Sequence, residues 1–265
     1  MGNIHGKAKR DLPSLRQWAK RLLALSKNEF VNLKYSENDD LGFMILCFLH
    51  KQTDHMQSII ALIPNRDTIL VARSMIEGLC QLLWAAREPA VRPLQWRAFA
   101  YVHDWRLLQQ KIALGEKVPT KDRAAIERGV KKYGDQFLKN KAKEAKKLRK
   151  PLPPDPYHDN WRCGTSLQQI CKSVGGADLY RSLYGPFSDW HHWGVGGLGE
   201  SIKRGRDGVI YTPLSPADLA SAVASGFQCL LETIQIADKH FSLGIESKIS
   251  KLRDGYVAYH QAQTK

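Results

Sequence analysis

Arg73 and Glu77 stand one helical turn apart inside the stretch Ile69-Leu-Val-Ala-Arg-Ser-Met-Ile-Glu-Gly-Leu-Cys-Gln-Leu-Leu-Trp84. At 100° per residue, apolar side chains cover most of that circumference. Only Asp67, Ser74, Gly78 and Gln81 form a strip that water could reach. Arg73 and Glu77 fall away from the middle of this strip, between Ile69, Leu70, Cys80 and Trp84. A charge buried alone is costly, so the spacing predicts a buried Arg–Glu pair. Such a pair either staples helices or aims a guanidinium at developing negative charge.

A second constellation lies in Tyr180-Arg-Ser-Leu-Tyr-Gly-Pro-Phe-Ser-Asp-Trp-His-His-Trp193. On a helix, Tyr180, Tyr184, Phe187 and His191 share one stripe, with Ser188 beside them. Pro186 removes a backbone donor and disfavours helix at Gly185, so a kink or restart is expected there. Aromatic stripes usually pack in a core. An imidazole at the edge of hydroxyls also suits acid–base work near neutral pH. Both readings stay open on the residues alone.

Taken in order, Arg73-Ser-Met-Ile-Glu77 followed by Tyr184-x-x-x-Ser188-x-x-His191 resembles an uncharacterised bacterial all-helical family. That family carries an R-S-apolar-apolar-E helix and then Y-x-x-x-S-x-x-x-H or a close variant. An aromatic-rich helix at 92–108, Trp161 and Ser166-Leu-Gln-Gln-Ile170 agree with it, so the resemblance spans roughly residues 40–195. The family is similar in style to HEPN helical proteins, some of which are metal-independent ribonucleases of toxin–antitoxin and phage-defence systems. The resemblance implies His191 as general acid or base, Arg73 stabilising the phosphorane, Glu77 holding Arg73, and Tyr184 and Ser188 completing the site. It implies neither cofactor nor metal. The R-x(4–6)-H motif of HEPN ribonucleases has one formal match, Arg97-Ala-Phe-Ala-Tyr-Val-His103, which lacks the polar residue that usually follows the Arg.

Other chemistry has thinner support. His50 with Asp54 and His55, or His191 and His192 with His158 or Asp189, offer partial metal spacings without a complete ligand set. Nucleotide-triphosphate, dinucleotide and zincin motifs do not occur. Gly194-Val-Gly-Gly-Leu-Gly199 follows no strand and reads as a mobile loop. From Lys131 to Lys150 there are nine basic residues (Lys131, Lys132, Lys139, Lys141, Lys143, Lys146, Lys147, Arg149 and Lys150) against two acids. That run reads either as a phosphate-tracking arm or as a solvated helix.

The elements that position these groups read as helices almost throughout. Residues 1–10 look like a basic tail. Asp11 then caps a helix to about Lys34, and helices follow at about 40–62, 67–87, 92–114 and from Thr120. The prolines at 151–156 require a loop. Helical segments are expected around 165–174 and 177–193, and a Gly-rich loop at 194–213 holds Val209-Ile-Tyr211 as its strand-like piece. Ser215-Pro216 starts a long helix to about His240, and a last one covers about 244–260. The fold class is all-α: one helical-bundle domain of seven to nine helices with Asp67–Arg87 at its centre. Its expected organisation is an N-terminal half at 11–117, a basic helical arm and proline loop at 118–156, a C-terminal half at 157–260 and a tail at 261–265.

Composition agrees with a globular chain of 265 residues, 43% hydrophobic and 25% charged. The longest apolar run, Leu41–Leu49, is far short of a membrane span, and the start carries no secretory signal. Five scattered cysteines outside any C-x-x-C pair fit a reducing, cytoplasmic setting. A formal charge of +14 favours polyanionic partners. Two functions therefore compete. One is a metal-independent HEPN-like endoribonuclease acting as a toxin or phage-defence effector. The other is a non-catalytic helical module that binds nucleic acid or a partner protein through the basic arm. Expected partners are RNA or another nucleic acid, a cognate antitoxin or defence partner and a second copy of the chain, with no membrane.

Overall fold

A computed structural model describes residues 2–30, 33–192, 199, 202–205, 208–211 and 215–262. The protein is all-α apart from one small hairpin. Its chain forms two compact units, residues 1–84 with 170–265, and residues 85–169.

In the first unit, α1 (Gly2–Glu29), α2 (Asp40–Leu62) and α3 (Thr68–Ala86) come from the N-terminal part. α1 starts well before Asp11, so the stretch read as a basic tail is helical and Asp11 is a buried residue within the helix. Its buried stripe of Leu15, Ala19 and Leu22 ends in Ser26, whose hydroxyl lies 2.7 Å from that of Thr53 on α2. Thr53 gives its own proton to Leu49 O, so Ser26 is the donor between them.

α2 begins where expected. Asp39 caps it by accepting the Gly42 amide at 2.8 Å, and its other oxygen meets His240 Nε2 at 2.8 Å. Gly42 permits this approach, since a Cβ there would come within 2.1 Å of Asp39 Oδ2. No residue of α3 from Thr68 to Ala86 is fully exposed. Gln52 of α2 reaches across to donate to Met75 O at 2.9 Å.

After residue 170 come the remainder of α7 (Leu167–Ser173), α8 (Ala177–Leu179), a π turn (Tyr180–Tyr184) and α9 (Gly185–His191). The strand-like piece forms a hairpin, β1 (Ile202–Gly205) antiparallel to β2 (Gly208–Tyr211), with Gly205 facing Gly208. Residues 194–198 of the glycine-rich segment lie outside the described residues.

α10 (Pro216–Phe241) has the predicted start: Ser215 Oγ accepts the Asp218 amide at 3.1 Å. Gly226 lets α10 pass close to α2, because a Cβ there would stand 2.7 Å from Ile59 Cδ1. Ser242 ends the helix in the left-handed region at φ 53°. α11 (Glu246–Ala262) follows. α3 and α10 are long and apolar enough to cross a membrane, and 44% and 61% of their apolar windows are buried within the fold.

The second unit holds α4 (Arg92–Ala113), α5 (Thr120–Tyr133), a 3₁₀ turn (Gly134–Phe137) and α6 (Asn140–Lys147). The basic helix predicted from Thr120 is thus divided at Gly134. Ala98, Val102, Phe137, Leu138, Ala142 and Tyr157 form a core of this unit's own. Phe99 meets Phe137 edge-on at 5.2 Å, and Trp105 meets Tyr157 in the same way at 5.2 Å. Tyr101 lies flat on α5, where a Cβ at Gly129 would strike its ring at 2.1 Å.

The end of the proline loop is tied down. Arg106 donates to Tyr157 O and His158 O, each at 3.0 Å, and pairs with Asp155 at 3.1 Å. The Lys139 and His158 amides donate to Pro156 O and Phe137 O, each at 2.8 Å. Among the described residues, helical segments outnumber the seven to nine expected. The 3₁₀ turn splits a stretch that reads as continuous in sequence, and the π turn precedes the restart expected at Gly185–Pro186.

Candidate functional site

The site in the first unit is set by a change of helical register. Pro186 has no amide proton to give to residue 182, and its ring crowds the preceding turn. The chain responds by widening that turn, and the Gly185 amide bonds to Tyr180 O five residues back. Tyr180 and Tyr184 then stack at 4.9 Å and 19°, and Tyr184 points at α3.

Arg73 Nη2 donates to the Tyr184 hydroxyl at 2.8 Å, and the guanidinium stands 4.7 Å above the same ring. The Tyr184 hydroxyl donates at 3.4 Å to Glu77 Oε2, and Glu77 Oε1 accepts from Gln81 at 3.2 Å. Arg73 and Glu77 are therefore joined through a phenol rather than by the direct pair expected from their spacing. Both are half-buried, and Arg73 Nε is buried without a hydrogen-bond partner among the described residues. Burial, with the nearby Glu77 carboxylate, pushes the Tyr184 hydroxyl up to about 12 despite the opposing Arg73 charge. It is a neutral donor at physiological pH.

Ser188 is half-buried, and its carbonyl takes the His192 amide at 2.9 Å. His191 is exposed and hydrogen-bonds to none of Arg73, Glu77 or Tyr184 among the described residues. Its ring instead meets that of His192, also exposed, edge-on at 4.7 Å. Arg73, Glu77 and Tyr184 are thus brought together, whereas the imidazoles face water at the end of α9. Nearby, the Arg66 guanidinium lies 4.9 Å from the Trp190 ring.

His55, which in sequence offers only a partial metal spacing with His50 and Asp54, is a neighbour of this site that sequence reasoning did not place here. It is half-buried, and its Nε2 lies 3.1 Å from Ser74 Oγ, beside Arg73 in the chain. Burial first, and Lys51 second, hold its pKa below the ordinary value, so the ring is neutral. His50 turns outward and meets Asp54 at 3.4 Å. The spacing of His55 to α2's buried Gln52 (three residues before it) and Ile59 (four after it) could have suggested its inward placement, but not its partner. Among the described residues, no group of three His, Cys, Asp or Glu side chains could hold a metal ion.

The second unit carries most of the charge excess: nineteen Lys and Arg against nine Asp and Glu, net +10 in 85 residues. Of the predicted phosphate contacts, Lys131, Lys132, Lys141, Lys143, Lys147, Arg149 and Lys150 are exposed and make no ion pair among the described residues. Two are neutralised locally: Lys139 lies 3.3 Å from Asp159, and Lys146 pairs with Asp135. Beside them, the rings of Tyr101 and Tyr133 stack at 5.6 Å and 9°, with Lys132 Nζ 4.8 Å above Tyr133. Arg97 and His103 are both exposed on α4, six residues and so about 120° apart around it.

A family model described as a family of unknown function (DUF5677) matches residues 42–209, which include every group described above. No curated protein and no solved structure matches the chain.

Proposed function

The chain belongs to that family of unknown function (DUF5677), and we propose that it binds nucleic acid through the surface of residues 85–169. The observation that carries this reading is the set of seven exposed cations between Lys131 and Lys150 that make no ion pair among the described residues, on a unit whose acids are too few to neutralise them. Each cation placed on a phosphate releases a counterion, so affinity falls steeply with salt. With the Tyr101–Tyr133 stack at its side, the surface suits a single strand or loop better than base-edge readout in a duplex.

The test is fluorescence anisotropy of the full chain with labelled single-stranded RNA across a salt series. Substituting Lys141, Lys143 and Lys147 together by Gln removes three exposed charges without touching the core. The slope of log K against log salt then drops by about 2, at roughly 0.7 per phosphate contact. An unchanged slope refutes the reading.

A second reading, the metal-independent endoribonuclease of a toxin or defence system, draws on the exposed His191–His192 pair. One neutral imidazole would take the proton of a ribose 2′-hydroxyl as its oxygen attacks phosphorus. The other, protonated, would give a proton to the departing 5′-oxygen and leave a cyclic phosphate. Arg73 stays engaged with Tyr184 in this scheme unless substrate displaces the phenol. Cleavage of RNA in excess EDTA, lost on His191→Ala or His192→Ala with binding retained, separates this reading from binding alone.

A further inference from the structure

Between α1 and α11, in the first unit, runs a groove of about 560 Å³ lined by Trp18, Arg21, Leu25, Lys251, Leu252 and Gly255. Trp18 is seated directly on α11, since a Cβ at Gly255 would come 2.5 Å from its Cη2. The Arg21 guanidinium covers the indole at 4.6 Å. Leu25 and Leu252 are half-buried and supply the aliphatic remainder. A third cation on the rim, Lys248, is held by Glu29 at 2.6 Å. Arg21 and Lys251 make no ion pair among the described residues, so the groove has an apolar floor and an uncompensated positive rim.

We infer that this groove docks an acidic amphipathic helix of a partner protein. Trp18, Arg21 and Leu25 repeat at i, i+3 and i+7, and Lys248, Lys251, Leu252 and Gly255 at i, i+3, i+4 and i+7. Each set spans about 10.5 Å, the rise of two helical turns. A helix with apolar anchors at i, i+3 or i+4 and i+7 matches that length, as in the helix-in-groove mode of recognition. Carboxylates flanking its anchors would meet Arg21 and Lys251. A tryptophan on the floor with an arginine on the rim beside it also has the composition of an interface hot spot. A nucleobase fits less well, because Arg21 already occupies the indole face on which it would stack. The inference concerns residues outside 85–169 and does not depend on the nucleic-acid reading.

The probe is a labelled peptide of about 15 residues, long enough to hold a helix. It carries leucines at the anchor spacing and glutamates on both flanks. Its controls are a scrambled peptide of equal composition and one with lysine for glutamate. The acidic patterned peptide binds the full chain at least about tenfold more tightly than either control, and added salt weakens it. The double variant Arg21→Glu, Lys251→Glu, at exposed positions, loses about tenfold in affinity while keeping the helical circular-dichroism spectrum of the folded chain. Leu252→Gln gives a second, charge-neutral loss. Equal binding of patterned and scrambled peptides, no binding below about 1 mM, or full affinity in the double variant overturns the inference. Displacement of the bound peptide by a single-stranded oligonucleotide that binds Arg21→Glu, Lys251→Glu more weakly also overturns it.

Discussion

Replacing Tyr184 by Phe deletes one oxygen atom and tests whether the Arg73–Tyr184–Glu77 network holds the first unit together. The phenyl ring keeps its place under the Arg73 guanidinium, so the cation–π contact survives. What goes is the 2.8 Å hydrogen bond from Arg73 and the longer 3.4 Å bond to Glu77. Among the described residues Arg73 Nε already lacks a partner in its buried position, so the lost bond is not replaced there. A hydrogen bond to a charged group contributes about 1.5–3 kcal/mol, and the geometry assigns nearly all of it to the Arg73 arm. Urea denaturation at neutral pH should therefore show a loss of about 1.5–3 kcal/mol with the same dependence on denaturant.

The pH profile gives an independent check. A tyrosine whose folded pKa is raised to about 12 from an ordinary value near 10 adds stability that is complete below pH 10. That part disappears as pH climbs from about 10 to about 12. Tyr256 is also pushed up to about 12 by burial, but it is present in both proteins and cancels in their difference. The wild-type advantage over Tyr184→Phe should thus be flat through neutrality and shrink across that alkaline window. A loss below about 0.5 kcal/mol, typical of surface substitutions, would refute the network as a structural brace. If RNA binding or cleavage fell while stability held, Tyr184 would belong to a site instead.

Three further outcomes are expected. Gly42→Ala drives a methyl into Asp39, loosening both the α2 cap and the Asp39–His240 pair, at a cost of about 1–2 kcal/mol by thermal melting. Burial alone would raise the Asp39 carboxyl, but His240 and the Gly42 amide outweigh it and hold it below the usual value. The stability it adds is present above pH 3.8, the unfolded value, and is lost as pH falls through the folded one, so Gly42→Ala flattens the acid limb. His55 should titrate below 6.5 by NMR, and its share of stability fades as pH drops from 6.5 towards that lower pKa; titration at or above 6.5 contradicts its burial on Ser74. The Cys80 thiol is hydrogen-bonded to Cys171 and buried, and Cys229 is fully buried; both effects raise the thiol pKa. Iodoacetamide should spare these cysteines in native protein and alkylate them once urea unfolds it, whereas fast native labelling would show an open core.

Most helix positions were legible because the signals are local. Ser215-Pro216 and the Asp39–Asp40 turn cap helices through their own side chains, and the prolines at 64 and 151–156 stop them. The start of α1 was not, since Asp11 and Pro13 look like a beginning although the helix runs through both. In the candidate site, spacing leads to a direct Arg73–Glu77 pair and the resemblance to His191 beside it, whereas His191 faces water and the Tyr184 phenol stands between the two charges. That detail depends on the π turn, which shifts register by one residue in response to Pro186. His55 reads in sequence only as part of a partial metal spacing, because a histidine on a mixed helix face gives no sign of its cross-helix partner. The boundary of the second unit has no local signal either. It falls inside α3 and α7, and depends on which residues gather around Phe137 and Tyr157.

The Arg106 anchorage has a consequence for how the chain can be altered. By fastening residues 155–158 to α4, beside the backbone bonds that join them to Phe137 and Lys139, it makes the exposed stretch 151–154 a loop whose two ends are already fixed. Lengthening such a loop adds closure entropy only slowly, about 0.6 kcal/mol for each doubling. Tags, fluorophores or a protease site placed between Leu152 and Pro154 would then leave the cationic face intact. The proline loop is thus a handle on the unit, whereas the same insertion after Asp155 would pull the strap away.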